Sequence, residues 1–318
     1  MNEAEAHRLA AEAAAAWGGS DSLRLIGLRE NAVFEARFPA GRAALRIHRQ
    51  GYQTEDAIRS ELWWCDALAA KGVAVARPMR PADGSFMVHL ADGRVASAFG
   101  WVGGDPLGEA DKPLTGSRQD QAEKFSRLGR LLAAMHVATD HLHLPAGFQR
   151  PRWDDDGLLG ESPFWGRFWE HPALTPDEAA EMRRLRAWCR DRLAEYSARG
   201  GDRGLIHADV LRENVLLCND QPWLIDFDDS GFGYRLYDLG TALAQNLAEP
   251  QFSALSEALV AGYGDVRPLD ASDIAMVPVF TLIRCLASVG WAMPRLAPAA
   301  PRHRQHIDRA LSLGARLC

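Results

Sequence analysis

The chain has 318 residues, of which 47% are hydrophobic and 25% charged, and its formal net charge is −6. This composition is ordinary for a soluble globular protein, the length suffices for two packed domains, and the negative balance argues against nucleic-acid binding as the main function. The start is unlike a signal peptide, no apolar run approaches the length of a membrane span, and we expect no membrane partner. Five scattered cysteines indicate a reducing, cytoplasmic compartment without a disulfide framework.

The first hundred residues predict a helix followed by a small antiparallel sheet. The Ala-rich residues 3–17 end at Gly18-Gly19, which predicts a helix. Alternating apolar residues then predict two strands at residues 23–38 and a third at 43–48. Thr54 is a helix cap and predicts a helix at 54–71. Two Asp-Gly turns predict a meander that ends with residues 85–102.

One charge pair is predicted within this part of the chain. Arg46 lies in the third strand between apolar residues, and Glu61 falls on the apolar stripe of the following helix. A carboxylate that faces a core needs a partner, and Arg46 is the nearest candidate. The alternative is that both are ordinary solvated surface charges.

The remainder of the chain is predicted to be mostly helical. Gly103-Gly-Asp-Pro106 interrupts the strand pattern, so we predict two domains, residues 1–102 and 103–318. Residues 145–172 predict an irregular loop with clustered acids and aromatic rings, among them Asp154 and Asp155. Such a loop suits recognition of a small cation, although an aromatic-packed surface loop fits the same residues.

The strongest motif lies in this second part. His207-Ala-Asp-Val-Leu-Arg-Glu-Asn214 is followed by Trp223-Leu-Ile-Asp-Phe-Asp-Asp229, and two apolar runs between them predict a β-hairpin. The hairpin would bring Asp209, Asn214 and Asp226 together. Two carboxylates and an amide are hard oxygen ligands that suit Mg²⁺, and a carboxylate not bound to metal could accept a hydroxyl proton.

This pattern, His-x-Asp-x-x-x-x-Asn followed by Asp-Phe, resembles the catalytic loop and metal-binding segment of the protein-kinase-like fold. The chain is similar to the superfamily of aminoglycoside phosphotransferases, choline kinases and type II homoserine kinases. The resemblance implies an α+β, bilobal fold. Its N-terminal lobe would be small, with an antiparallel sheet and a helix, and its C-terminal lobe larger and mostly helical.

The resemblance also implies ATP and Mg²⁺ as cofactors and a role for each matching residue. Asp209 would orient the acceptor hydroxyl or accept its proton, and Asn214 and Asp226 would hold the metal. Arg46, held by Glu61, would position the phosphates. The backbone of Gly100 to Val102 would contact adenine, and Leu216 and Ile225 would form an apolar floor beneath it. Asp238 would brace the catalytic loop.

The predicted acceptor is a small polar metabolite with a hydroxyl group, such as homoserine or an amino alcohol. Arg212 could pair with an acceptor carboxylate, and Asp154, Asp155 and Asp229 are further substrate candidates. The basic C-terminal stretch argues against an aminoglycoside, since it would repel a polycation. An aminoglycoside phosphotransferase, a bacterial stress-response-type protein kinase and an inactive nucleotide-binding protein are the alternatives.

Overall fold

The computed structural model describes all residues, Met1–Cys318, and shows nine α-helices together with antiparallel sheets, so the predicted α+β class is confirmed. The helices are α1 (Glu3–Ala14), α2 (Glu55–Ala70), α3 (Arg118–Asp140), α4 (Asp155–Leu159), α5 (Pro176–Ala198), α6 (Leu236–Ala244), α7 (Phe252–Gly264), α8 (Ala271–Arg295) and α9 (Arg302–Leu317). The strands are β1 (Leu23–Leu28), β2 (Ala32–Phe38), β3 (Gly41–Ile47), β4 (Pro78–Met79), β5 (Val88–His89), β6 (Val95–Gly100), β7 (Asp105–Pro106), β8 (Arg152–Trp153), β9 (Arg203–Ile206), β10 (Val215–Cys218), β11 (Gln221–Leu224) and β12 (Gly231–Tyr234).

The chain divides into two compact units. The first unit comprises Met1–Asp105, Leu142–Arg150 and Trp223–Asp228, and the second comprises the remaining segments. The sequence placed a boundary at residue 102, close to the first break. It did not predict that two later segments belong to the first unit, because each is only six to nine residues long and shows no pattern of its own.

The first unit is built on an antiparallel sheet with the strand order β1-β2-β3-β6-β4, and β5 pairs with β6. Side chains on β3 alternate between its two faces, as a strand requires. Leu45 and Ile47 join α1 in an apolar core, whereas Arg46 points to the opposite face. The alternation therefore places one cation on the face of the sheet that α1 does not cover.

The second unit is mainly helical and contains the three-stranded sheet β8-β12-β9. Helices α3 and α7 cross at glycines. A Cβ atom on Gly129 would lie 2.1 Å from the carbonyl oxygen of Leu259, and one on Gly262 would lie 2.0 Å from that of Ser126. Only glycine permits two backbones to approach this closely.

Helix α8 is held in the same way at two points along its length. A Cβ atom on Gly240 of α6 would lie 2.5 Å from the carbonyl carbon of Phe280 on α8. A Cβ atom on Gly290 of α8 would lie 2.8 Å from the carbonyl oxygen of Gly166. These contacts fix the helix on either side of its middle turn.

Thr54 caps α2, as predicted, and capping boxes also open α3 at Ser117 and α5 at Thr175. The sequence analysis predicts neither α9, in the basic C-terminal stretch, nor the short strand β12, whose two glycines weaken any strand signal.

The expectation that no run reaches membrane-span length is wrong for α8. This helix is long and apolar enough by length and composition alone, but 72% of its most apolar window is buried inside the protein. A buried core helix passes the same test. All five cysteines are free.

Candidate active site

The loop that carries Asp209 follows β9 and has an unusual backbone. Ala208 adopts a left-handed conformation with φ 64°, which costs a non-glycine residue free energy. The buried carboxylate of Asp238 compensates: it accepts hydrogen bonds from the backbone N–H groups of His207, at 2.9 Å, and Ala208, at 2.7 Å. This is the bracing contact that the sequence predicted for Asp238.

The brace is itself held by a buried histidine. Nε2 of His136 lies 3.1 Å from Oδ2 of Asp238, and Nδ1 lies 2.9 Å from the hydroxyl of Tyr263. Burial lowers the pKa of His136, so the ring is neutral, with Nε2–H donating to Asp238 and Nδ1 accepting from Tyr263. The loop therefore rests on a fully buried polar network.

Two side chains donate hydrogen bonds to the carboxylate of Asp209. Nδ2 of Asn214 donates to Oδ2 at 2.9 Å, and Nη2 of Arg284 donates to Oδ1 at 2.8 Å. The side chain keeps 17% exposure. This exposure leaves the carboxylate accessible to a hydroxyl donor from outside the protein. Arg284 lies outside the sequence motifs, and the structure shows that it pairs with Asp209.

Arg284 is almost completely buried on α8, at 5% exposure. Its guanidinium carbon lies 4.5 Å from the centre of the Trp165 ring. Burial alone would lower the pKa of Arg284, but nearby Tyr237 and Asp209 raise it above its ordinary value. The side chain is thus a fixed positive charge.

The first unit holds the other predicted residues. Arg46 and Glu61 form the buried ion pair that the sequence predicted, and Nη1 of Arg46 lies 3.3 Å from Oδ1 of Asp226. Burial opposes the charge on Arg46, yet Glu61, Asp228 and Asp226 raise its pKa, so it remains charged. One cation therefore joins helix α2 to the segment that follows β11.

Arg150 is a buried residue of this network that the sequence analysis missed. Its guanidinium donates to the carbonyl oxygens of Ala57, at 2.9 Å, Phe227, at 3.0 Å, and Asp228, at 2.6 Å. It also lies 3.8 Å from Glu61. The residue stands in an irregular stretch without periodicity, so no local signal could have identified it.

Asp226 is suited to bind a cation. It has a left-handed backbone with φ 63°, and its side chain is 50% exposed. Asp228 differs: it is buried, and its Oδ2 accepts a hydrogen bond at 3.1 Å from Nδ2 of Asn31, in the turn between β1 and β2. Burial would raise the pKa of Asp228, but neighbouring cations lower it.

The oxygen donors present fit a hard divalent cation. No group of three or more His, Cys, Asp or Glu side chains could hold a metal. That Asn214 and Asp226 bind Mg²⁺ stays a prediction. Each residue by itself offers a hard oxygen donor: Asp226 in the first unit has an exposed carboxylate, and Asn214 in the second unit has Oδ1, because its Nδ2 donates to Asp209. Few protein ligands supplemented by water and phosphate oxygens are typical of Mg²⁺.

Arg212 is wrong as a substrate candidate. It is 3% exposed, and Nη2 donates to Oε1 of Glu249 at 2.6 Å and to Oδ1 of Asn246 at 2.7 Å. Nη1 donates to the carbonyl oxygen of Lys112 at 2.6 Å. These contacts tie the loop into the helical unit and leave nothing for an acceptor carboxylate.

Asp154 and Asp155, the two predicted acids of the loop at residues 145–172, also have partners within the protein. Asp154 caps α4 by accepting from the N–H of Gly157 at 3.0 Å. Asp155 pairs with Arg203 at 2.8 Å and accepts from the hydroxyl of Tyr234 at 2.9 Å. In the sheet, Tyr234 pairs with Arg203, at the end opposite to the one that leads into the catalytic loop. These contacts do not support a role in acceptor recognition, which stays a prediction for both residues.

Asp229 remains a candidate. It is buried, and its carbonyl oxygen accepts from Nε1 of Trp153 at 2.8 Å. The C-terminal arginines are partly neutralised, because Arg302 pairs with Asp111 at 3.4 Å and Arg304 with Glu178 at 2.9 Å. The charge argument against a polycationic acceptor is weaker than the sequence suggested.

Of the two backbone N–H groups of Gly100 and Val102 that are predicted to contact adenine, only that of Val102 is available. The N–H of Gly100 donates to the carbonyl oxygen of Arg77 at 2.8 Å, so that donor is not available. Val102 uses neither backbone group in a hydrogen bond and keeps the predicted role. Leu216 and Ile225 are both partly exposed, and their role as an adenine floor stays a prediction.

Comparisons with known proteins agree with this chemistry. The family model of the phosphotransferase enzyme family matches residues 22–272. The solved structure of a microcompartment-associated aminopropanol kinase is 34% identical, with a TM-score of 0.77 over 93% of this chain and 90% of that one. The homoserine kinase of Rhizobium etli is 30% identical over 221 residues, which are 67% of this chain and 62% of that enzyme.

A further neighbour shares the fold at lower identity. The amicoumacin kinase hAmiN, solved in complex with AMP-PNP, Ca²⁺ and Ami, has a TM-score of 0.74 at 18% identity, over 92% of this chain and 88% of that one. These neighbours place the present chain among the protein-kinase-like folds.

Proposed function

This chain belongs to the phosphotransferase enzyme family, and on that premise we propose that it transfers the γ-phosphate of ATP to the hydroxyl of a small amino alcohol, with Mg²⁺ bound. The observation that supports this proposal most directly is the geometry of Asp209. Its two oxygens are oriented by Asn214 and Arg284, and its side chain is 17% exposed, so that an acceptor hydroxyl can approach it. The 34% identity to an aminopropanol kinase supports the choice of acceptor.

The proposed mechanism relies on positioning and electrostatics, which supply most of the catalysis in phosphoryl transfer. Asp209 would orient the acceptor hydroxyl and take its proton while the new bond to the γ-phosphorus forms, and the bond from that phosphorus to the β–γ bridging oxygen breaks so that ADP leaves. Asn214 and Asp226 would hold Mg²⁺, which when bound supplies positive charge to the triphosphate. Arg46, fixed by Glu61, directs its remaining donors to the phosphates.

The predicted acceptor acids favour a small acceptor over a polycation. Asp154 and Asp155 contact other protein groups, and Asp228 accepts from Asn31. A polycation needs an extended acidic surface, whereas an amino alcohol carries one ammonium and one hydroxyl group. The hydroxyl would meet Asp209, and Asp229 stays a candidate for the ammonium group.

An acceptor panel tests the proposal. Purified protein with ATP and Mg²⁺ is incubated with 1-amino-2-propanol, homoserine, kanamycin or casein, and phosphorylated product is measured by mass spectrometry. We expect product from 1-amino-2-propanol or homoserine. Product from kanamycin alone would establish an aminoglycoside phosphotransferase, and product from casein alone a protein kinase. ATP binding without turnover would establish an inactive nucleotide-binding protein.

Arg46→Ala is expected to raise the KM for ATP by about 10- to 100-fold, because a hydrogen bond to a charged group contributes about 1.5–3 kcal/mol. Arg46→Glu should also lower the melting temperature, since it sets a second carboxylate against buried Glu61. Steady-state kinetics and thermal melts measure both effects. Arg37→Ala, at an exposed position on β2, is the control. Wild-type ATP kinetics in both Arg46 variants would show that Arg46 does not contact the nucleotide.

A further inference from the structure

We propose that Arg284 is the positioning residue for Asp209: it holds the carboxylate in the orientation that receives the acceptor hydroxyl. The inference rests on the proposed function and adds to it a residue outside every motif of the catalytic segment. The carrying contact is the 2.8 Å hydrogen bond from Nη2 of Arg284 to Oδ1 of Asp209.

The contact of Asp209 with Asn214 is shared with other roles of that side chain. Asn214 donates through Nδ2 to both Oδ2 and the carbonyl oxygen of Asp209, each at 2.9 Å, and the same side chain is proposed to bind Mg²⁺ through Oδ1. Arg284 approaches from a different element, α8, and contacts the opposite carboxylate oxygen, so the orientation of Asp209 does not depend on Asn214 alone.

The guanidinium is itself fixed in place. Its guanidinium carbon lies over the Trp165 ring, 4.5 Å from the ring centre. The charged or titratable groups around it are Asp209 on the catalytic loop, Asp229, Tyr237 on α6 and His306 on α9. Burial and neighbouring arginines lower the pKa of His306 to about 4, so its ring is neutral and does not compete for Asp209.

A purely structural role would give a different arrangement. A buried arginine that serves only stability is normally saturated with partners, as Arg212 is. Arg284 instead makes fewer hydrogen bonds than Arg212: Nη2 donates to Asp209, and Tyr237 lies close enough to raise the pKa of Arg284. Its contact with a carboxylate is therefore the one to Asp209.

The test compares Arg284→Met and Arg284→Lys with a matched control. Arg186→Met is the control, because Arg186 also lies over a tryptophan, Trp169, and also pairs with a carboxylate, Glu161, but does not contact Asp209. The first readouts are kcat and the KM for ATP, measured with 1-amino-2-propanol, homoserine or water as the acceptor. The second is the melting temperature, measured with and without ATP and Mg²⁺.

We expect Arg284→Met to lower kcat by about 10- to 100-fold, because small misplacements of a reacting group cost about this much. The KM for ATP should stay within about twofold. Arg284→Lys should recover part of the loss, since an ammonium can still reach one oxygen. Arg186→Met should lower the melting temperature and leave kcat of the folded protein within about twofold.

A double variant separates positioning from general damage. If Arg284 acts through Asp209, adding Arg284→Met to Asp209→Asn should cost no more than about twofold beyond Asp209→Asn alone. Multiplying losses, or a wild-type kcat in folded Arg284→Lys and Arg284→Met, would overturn the inference while the proposed function stood. A wild-type protein that binds ATP but transfers phosphate to no acceptor would overturn both.

Discussion

Asp209→Asn is expected to lower kcat by about 10²- to 10⁴-fold, the usual value of acid–base assistance, with little change in nucleotide binding. The substitution keeps the size of the side chain. It removes the negative charge, and because Arg284 and Asn214 contact different oxygens, the new NH₂ group would face one of these two donors. Steady-state kinetics measure the loss, and thermal melts with ATP and Mg²⁺ report retained binding.

Asp220→Asn is a matched control for this variant. It makes the same change in the exposed turn between β10 and β11, where the left-handed backbone, φ 60°, suits asparagine. The control should keep wild-type kcat. Near-normal turnover of Asp209→Asn would remove Asp209 from the reaction.

Asp226→Ala is expected to abolish stabilisation of the protein by ATP with Mg²⁺. The carboxylate is the only charged ligand proposed for the metal, and a ligand that no longer binds cannot shift the folding equilibrium. At a nucleotide concentration of about 100 times Kd, the lost stabilisation is about 2.7 kcal/mol. Melting curves with and without ATP and Mg²⁺ measure it directly.

The backbone at this position calls for a second variant. Alanine is disfavoured at φ 63°, so Asp226→Ala also strains the fold, whereas asparagine tolerates the left-handed region. Asp226→Asn should therefore melt close to wild type without nucleotide and still fail to respond to ATP with Mg²⁺. A full response in either variant would place the metal on other residues.

Much of the site could be predicted because its signals are local. The motif from His207 to Asn214 and the apolar runs of the hairpin lie within about 25 residues. The pair Arg46 and Glu61 followed from two adjacent elements, a strand and a helix, each with its own periodicity. Short-range spacing fixes which side chains share a face, so these contacts could be read from the sequence.

The remaining contacts depend on how distant elements pack. Arg284 and Asp209 are 75 residues apart in the chain, and Arg212 meets Glu249 across 37 residues. Nothing in the sequence near Arg212 distinguishes a buried structural arginine from one that faces a substrate. Arg150 binds carbonyl oxygens, which every residue carries, and such partners leave no trace in composition.

The glycine contacts of α8 affect how precisely the Asp209 carboxylate is positioned. Arg284 lies between the crossing at Phe280 and the contact at Gly290, so the helix can neither rotate nor slide at the level of its guanidinium. One residue of slippage would turn the side chain by about 100° and shift it by about 1.5 Å. Alignment of the carboxylate with its acceptor is thus set by residues without side chains, Gly240 and Gly290, far from the reacting atoms in sequence.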